Sequence, residues 1–213
     1  MVKVGNEKRY FTPNDILLHN SPEDCWVSFL GRVFDITLVC AKNKGSVLLQ
    51  PILAQAGKDI SHWFDAKTGE VRHHVDPVTN CYVPYTPFGR FINIPPPYPT
   101  TDWATDFGVP WWKDERLAIG YLTKKTRFVC IVNTLALHEH EIEVCVEETL
   151  TDILVRYLKF NAHAASYTWK YNGVVLDMEK TLEENNVIEE TQDIEDLFMP
   201  QLYLYYNDDL TEA

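Results

Sequence analysis

Residues 19–37 of this 213-residue chain read HNSPEDCWVSFLGRVFDIT, and this stretch decides how the first part of the chain folds. Two apolar runs, residues 26–30 and residues 33–36, lie on either side of this stretch's glycine, Gly31, and the arginine that follows it. Short apolar runs separated by such a pair are typical of a β-hairpin. Upstream, Thr12 can cap a helix whose first residue is Pro13. The sequence therefore predicts a short helix followed by a hairpin.

The same stretch resembles the opening of a cytochrome b5 domain, and residues 54–65 resemble the segment that leads toward that family's second haem histidine. The resemblance implies an α+β domain that clamps haem iron between two histidines. The first of these histidines belongs to a His-Pro-Gly-Gly turn, and the matching position after Asp35 in this chain is Asn43. The resemblance thus implies the fold, while Asn43 argues against the electron transfer that a bis-histidine haem performs.

The second histidine of the b5 family would fall at Gly69, and this chain has His73 and His74 a few residues later. In the proteins that the chain resembles, the ligand position is followed by an apolar residue, an aspartate and a proline. That order selects His74, which precedes Val75-Asp76-Pro77, over His73. The resemblance therefore implies haem held through a single histidine, with His74 as the cofactor-binding and metal-ligating residue. The alternative is that both histidines are solvent-facing loop residues.

The sequence does not fix the second axial ligand of the iron. Asn43 and Lys44 are poor ligands for ferric iron. Cys40 could bind as a thiolate, and His62 could lie nearby. An axial position that is open or filled by water is favoured over each of these residues, and an open position favours redox or ligand sensing over outer-sphere electron transfer.

Charge and cysteine content restrict the class of protein. The formal net charge is −12 and the pI is about 4.9, so a phosphate backbone or an anionic bilayer would repel the chain. We therefore expect neither a nucleic-acid partner nor a membrane partner. The chain has no apolar leader core and no apolar run of about 18 residues, which predicts a protein without secretion signal or anchor. Its 5 cysteines lack Cys-x-x-Cys spacing, which indicates reduced thiols in the cytoplasm.

Residues 75–116 are rich in proline and aromatic residues, and this composition prevents long helices and central strands. Residues 117–122 are similar to the closing strand of the b5 family, so the resemblance implies that residues 75–116 are an insertion within the first domain. Four large aromatic residues of the insertion would expose much apolar surface to water: Trp103, Phe107, Trp111 and Trp112. We therefore expect the insertion to be ordered and packed on its own domain or on a partner.

The second part of the chain has a different pattern. Apolar residues alternate with Glu141 and Glu143 in residues 140–146, which is the period of a half-buried strand. Residues 149–158 place their apolar side chains on one helical face. The predicted order of strand, strand, helix, strand, strand, with residues 181–187 before the last strand, resembles ubiquitin.

Together these patterns predict an α+β protein with a cytochrome b5-like domain over residues 8–124, a ubiquitin-like β-grasp domain over residues 125–206 and an acidic tail over residues 207–213. This arrangement resembles a family of cytochrome b5 domain-containing proteins over essentially the whole chain. The resemblance implies a component of the motile-cilium axoneme, in the cytoskeleton, that supports ciliary beating. It implies radial spoke proteins as partners and a haem that responds to redox state.

No catalytic residue is predicted, because the sequence contains no P-loop, no Gly-x-Ser-x-Gly and no other nucleophile motif. His138 and His140 could hold a metal ion from one strand face, but no third ligand is visible, so a surface pair is favoured. Acidic pairs such as Glu183 and Glu184 lie in an acidic loop and are expected to be solvated. We therefore expect a non-catalytic structural or regulatory protein without a small-molecule substrate. The alternative is a soluble b5-type haem electron carrier.

Overall fold

The computed structural model describes residues 8–96, 100, 101, 103, 106–187 and 199–207. The chain divides into two compact units, one ending at Leu122 and the next beginning at Thr123. The predicted acidic tail lies outside the described residues except for Asn207, and so does the acidic stretch 188–198.

The described residues of the first unit form two sheets and three short α-helices. Its larger sheet has 5 strands, β1 (Tyr10–Phe11), β2 (Asn20–Ser21), β3 (Asp24–Phe29), β4 (Arg32–Asp35) and β7 (Ala118–Leu122), in the order β1-β7-β4-β3-β2. Its smaller sheet is the antiparallel pair of β5 (His73–Val75) and β6 (Tyr82–Pro84). The α-helices are α1 (Pro13–Leu17), α2 (Thr37–Lys42) and α3 (Gln50–Leu53).

The predicted helix and hairpin are confirmed. Thr12 caps α1 in a capping box: its hydroxyl accepts the Asp15 amide at 3.1 Å, and the Asp15 carboxylate accepts the Thr12 amide at 2.9 Å. Phe29 pairs with Arg32, so the two-residue turn of the hairpin is Leu30-Gly31, one position earlier than the predicted pair. Both turn residues have positive φ, 50° and 76°, which is the backbone of a type I′ turn. The backbone twist of a type I′ turn matches the twist of the two flanking strands, which favours the turn at Leu30-Gly31.

The predicted closing strand is also confirmed. β7 lies between β1 and β4, parallel to the first and antiparallel to the second. Gly120 is needed in this strand, because a Cβ atom there would overlap the carbonyl oxygen of Arg9 and the ring of Phe11. The residues that complete the sheet therefore follow the proline-rich insertion in the chain.

The insertion contributes a substantial part of the first unit's core. Its buried residues belong to the same apolar cluster as Phe29, Trp63 and Phe64; they are Phe91, Ile92, Ile94, Trp111 and Trp112. The ring of Trp63 stacks on Phe91 at 4.8 Å, and Trp111 packs edge-on against Phe29 at 6.0 Å. The expectation of an insertion packed on its own domain is confirmed for these residues. Phe107 differs, because 42% of its surface is exposed.

Where it is described, the second unit is a mixed sheet with one α-helix. Its strands are β8 (Thr126–Asn133), β9 (His138–Cys145), β10 (Tyr167–Tyr171), β11 (Val174–Val175) and β12 (Gln201–Tyr206), and its helix is α4 (Leu150–Tyr157). The strand order is β11-β10-β12-β8-β9, with β12 parallel to the adjacent β8. A first hairpin, a helix and a last strand that inserts beside the first strand make the β-grasp topology.

The helix α4 begins and packs as its sequence predicts. Thr149 caps it in a capping box with Asp152. Its buried face, Leu150, Ile153, Leu154 and Tyr157, packs with Trp169 and the inner side chains of the sheet in a separate core cluster. Among the described residues no helix has the length and apolar character needed to cross a membrane.

Candidate functional site

The position of the first haem histidine is occupied by Asn43, which caps the C-terminus of α2. The backbone amide of Asn43 donates to the carbonyls of Val39 and Cys40, and its side-chain amide donates to the Val39 carbonyl at 2.8 Å. Asn43 therefore satisfies orphan carbonyls at a helix C-terminus. An amide engaged in this way is not an iron ligand.

The position of the second haem histidine is a turn glycine. Gly69 has a φ of 68° and donates its amide to the Asp65 carbonyl at 2.8 Å. The Asp65 carboxylate accepts the amides of Thr68 and Lys67, and these bonds lower the pKa of that carboxyl. Backbone bonds close this turn, and glycine offers no side chain at the position where ordinary b5 domains carry their second histidine.

His73 and His74 lie on β5, in an exposed hairpin. Neighbouring residues of a strand point to opposite faces, so the two imidazoles do not converge on one ion. The Nδ1–H group of His73 donates to the Val71 carbonyl at 2.9 Å, and the ring of His73 stacks on that of Tyr82 at 5.1 Å. The ring of His74 lies edge-on to Tyr85 at 5.8 Å. The predicted site residue is thus accessible, and the bond of His73 is of the kind that orients ligating imidazoles.

Cys40 and His62, the other candidate axial ligands, lie in different surroundings. Cys40 is buried and hydrogen-bonded to the thiol of Cys25; this bond and burial raise the pKa of Cys25. His62 lies exposed in the 3-10 turn Ser61–Trp63. No group of three or more histidine, cysteine, aspartate or glutamate side chains in the described part of the chain could hold a metal ion.

A cleft of about 530 Å³ lies between α2 and the insertion. Its apolar lining is Leu38, Val39, Ile92, Phe107, Val109, Trp111 and Leu117, and its polar lining is Lys42, Asn43, Asn93, Asp114 and Arg116. The guanidinium of Arg116 donates to both carboxylate oxygens of Asp114, at 2.8 and 2.7 Å, and lowers the pKa of that carboxyl. The described residues that line the cleft include no histidine, cysteine, methionine or tyrosine. Its described lining offers apolar walls, two cationic side chains and the carboxylate of Asp114, which is paired with Arg116.

The described residues therefore do not fit the bis-histidine clamp of an ordinary b5 haem. Asn43 and Gly69, at the two clamp positions, make hydrogen bonds within the local backbone, and His73 and His74 lie on a separate hairpin. The sequence had indicated the loss of the first histidine. It had not indicated the cleft, whose two walls come from residues far apart in the chain.

The pair His138 and His140 is confirmed as two side chains of one strand face, with ring centroids 6.3 Å apart. His138 is exposed, whereas His140 is half-buried against Tyr157 and Phe160. The described residues provide no third ligand beside them.

Comparison with known proteins places the chain in a family. The model described as "Cytochrome b5-like Heme/Steroid binding domain" matches residues 12–85. "Cytochrome b5 domain-containing protein 1" of Xenopus laevis is 54% identical over 210 residues, which are 96% of this chain and 97% of that protein. The human protein of the same name is 51% identical over 212 residues, 97% of this chain and 93% of that protein.

This chain belongs to the cytochrome b5 domain-containing protein 1 family. The resemblance seen in its sequence is confirmed, and so is the predicted fold class, a b5-like domain followed by a ubiquitin-like β-grasp domain. The domain match supports haem as the cofactor of a b5-type domain such as this first unit. A solution structure of a ubiquitin-like domain from the polyubiquitin locus of T. thermophila is also similar; its TM-score is 0.32 and its identity 19%, with 41% of this chain and 100% of that chain covered.

Proposed function

We propose that this protein is a non-catalytic structural and regulatory component of the motile-cilium axoneme, bound within the radial spokes, where it supports ciliary beating. Its two units act as binding surfaces for neighbouring spoke proteins.

The observation that carries this proposal is the way in which the first unit completes its core. Phe91, Trp111 and Trp112 from the insertion are all at least nine-tenths buried against the b5-like framework. Burial of each such side chain contributes up to about 3 kcal/mol. The unit thus obtains from its own insertion a stability that does not depend on bound iron, which suits a structural role better than electron transfer.

Tagging the protein at its own locus in ciliated cells tests the location. We expect the tagged protein to stay with demembranated axonemes and to be lost from axonemes of cells that lack radial spokes. Retention in spokeless axonemes would contradict the radial spoke assignment, and full extraction with detergent would contradict the axonemal one.

A haem held by His74 alone is the second part of the proposal. The match to a haem-binding domain model and the exposed imidazole of His74 support it. Bound haem supplies one-electron redox chemistry, and an iron with one protein ligand suits redox sensing. The alternative, a soluble b5-type electron carrier, requires two imidazoles.

Absorption spectra of the purified protein in its oxidised and reduced forms separate these functions. We expect spectra that lack the signature of two imidazole ligands. A bis-imidazole spectrum that persists when His74 is replaced would contradict the proposal and favour the electron carrier.

A further inference from the structure

The strand β9 forms one edge of the second unit's sheet, since β8 is its sole neighbour in the described part of that unit. It has 8 residues and pairs with β8 along its whole length. In an antiparallel pair, every second residue of an edge strand turns its N–H and C=O groups away from its neighbour. β9 therefore presents a row of backbone donors and acceptors that another strand can bind.

One face of this edge is acidic. Glu139, Glu141 and Glu143 alternate along β9, opposite Val132, Cys130 and Phe128 of β8. Glu139 and Glu141 are exposed. The pKa of the Cys130 thiol is raised, mainly by burial and further by the negative charges of Glu139 and Glu141. This effect of the two charges agrees with the position of Cys130 on the same face of the sheet. We call Glu139 and Glu141 the acidic rim.

The opposite face of the edge is aromatic. His140 points to the side of the sheet that carries α4, where its ring lies 4.5 Å from that of Phe160. Phe160 is 43% exposed. The Nδ1 atom of His140 is buried and has no hydrogen-bond partner among the described residues. The edge thus has a charged side and an apolar side, which a strand with alternating side chains would match.

We propose that β9 binds an extended segment of a partner protein, and that this segment adds a strand to the sheet. The segment carries lysine or arginine at alternate positions, with apolar residues between them. The basic side chains lie over the acidic rim, and the apolar ones lie beside Phe160. This surface is distinct from His74, the proposed haem ligand, and from the cleft of the first unit.

Charge decides the occupant. A second copy of this chain would bring its own acidic rim against the first, and like charges side by side destabilise a strand pair. Nucleic acid would be repelled by the same carboxylates. A basic strand is attracted by each pair of its cationic side chain with a glutamate of the acidic rim. Because Glu139 and Glu141 are two residues apart, basic residues at alternate positions set the register of the added strand.

The full-length protein can be titrated with a fluorescent, acetylated eight-residue peptide of alternating lysine and valine, with anisotropy as the readout. We expect Glu139→Gln combined with Glu141→Gln to weaken binding by about tenfold. The control, Glu179→Gln combined with Glu183→Gln, removes the same charge from exposed positions of the same unit and should bind like wild type. Equal loss in both variants would mean that only net charge matters, and would overturn the proposal.

Two N-methylated peptides test the added strand itself. One is methylated on every lysine nitrogen of the backbone and the other on every valine nitrogen, so each blocks the hydrogen bonds of one strand edge. We expect one of the two to lose binding and the other to keep it. If both bind as well as the unmodified peptide, no strand is added at β9 and the proposal fails.

Discussion

Single residues decide what the b5-like unit can hold. Asn43 and Gly69 stand where the family's clamp would place two imidazoles, and both make bonds that the local backbone needs. A histidine at position 43 would lose the side-chain bond to the Val39 carbonyl, and a histidine at position 69 would have to adopt a φ of 68°, which is unfavourable for residues other than glycine. The exposed pair His73 and His74 lies outside these two positions, on β5.

The role of His74 can be tested by reconstituting purified variants with haem. His74→Ala should abolish the Soret band, because this imidazole is the proposed axial ligand. Asn43→Ala is the matched control and should keep most of the band. His73→Ala should keep it too; loss of the band in that variant alone would show that the imidazole oriented by the Val71 carbonyl is the ligand.

Glu70 ties the insertion to the turn before β5, and its effect depends on pH. Lys113 forms an ion pair with its carboxylate, and the indole N–H of Trp112 donates to it at 3.4 Å. The Lys113 bond, followed by that of Trp112, holds the pKa of Glu70 below its ordinary value of 4.5. A carboxyl with a lowered pKa stabilises the folded state above the unfolded pKa, and this contribution is lost as the pH falls through the folded pKa.

Thermal unfolding midpoints measured at about pH 7 and about pH 3 test this linkage. Glu70→Gln should lower the midpoint at the higher pH and reduce the drop between the two pH values. Glu23→Gln, which removes an exposed charge from another loop, should keep the wild-type drop. An unchanged drop in Glu70→Gln would show that the bonds to the insertion contribute no stability.

At the scale of elements, the insertion acts as a core element of the first unit. Trp111 is 3% exposed and contacts the rings of Phe29, Phe64 and Phe91. Trp111→Ala should lower the free energy of unfolding by about 3–5 kcal/mol, measured by urea denaturation. Phe107→Ala removes an aromatic side chain that is 42% exposed, and should cost about 1 kcal/mol or less. Equal costs would mean that the insertion does not hold the core together.

The sequence predicted those elements whose signals are local. The hairpin of β3 and β4, the capped helices α1 and α4, and the closing strand β7 all carry their pattern within a few residues. The sequence did not predict the hairpin of β5 and β6, because its exposed residues show no alternation of apolar and polar side chains. The cleft could not be predicted either, since Leu38 and Trp111 meet only after the insertion folds back on α2.

At the scale of the whole molecule, the chain has one large core cluster in each unit. The first contains Phe29, Trp63 and Trp111, and the second contains Leu150, Tyr157 and Trp169. Each unit also closes its sheet with its own last strand, β7 or β12. A core and a complete sheet are what a domain needs to fold alone.

Fragments 1–122 and 123–213 should therefore each fold alone and unfold cooperatively, as followed by circular dichroism during heating. A fragment ending at residue 96 is the informative control. It keeps the hairpin and α1 to α3 but lacks Trp111, Trp112 and β7, and β7 is the strand that joins β1 to β4. That fragment should show no cooperative transition, because its sheet would be split and part of its core missing. If it folds as well as fragment 1–122, then the insertion and β7 are additions to a b5-like unit that is stable without them, and the structural role proposed for the insertion is wrong.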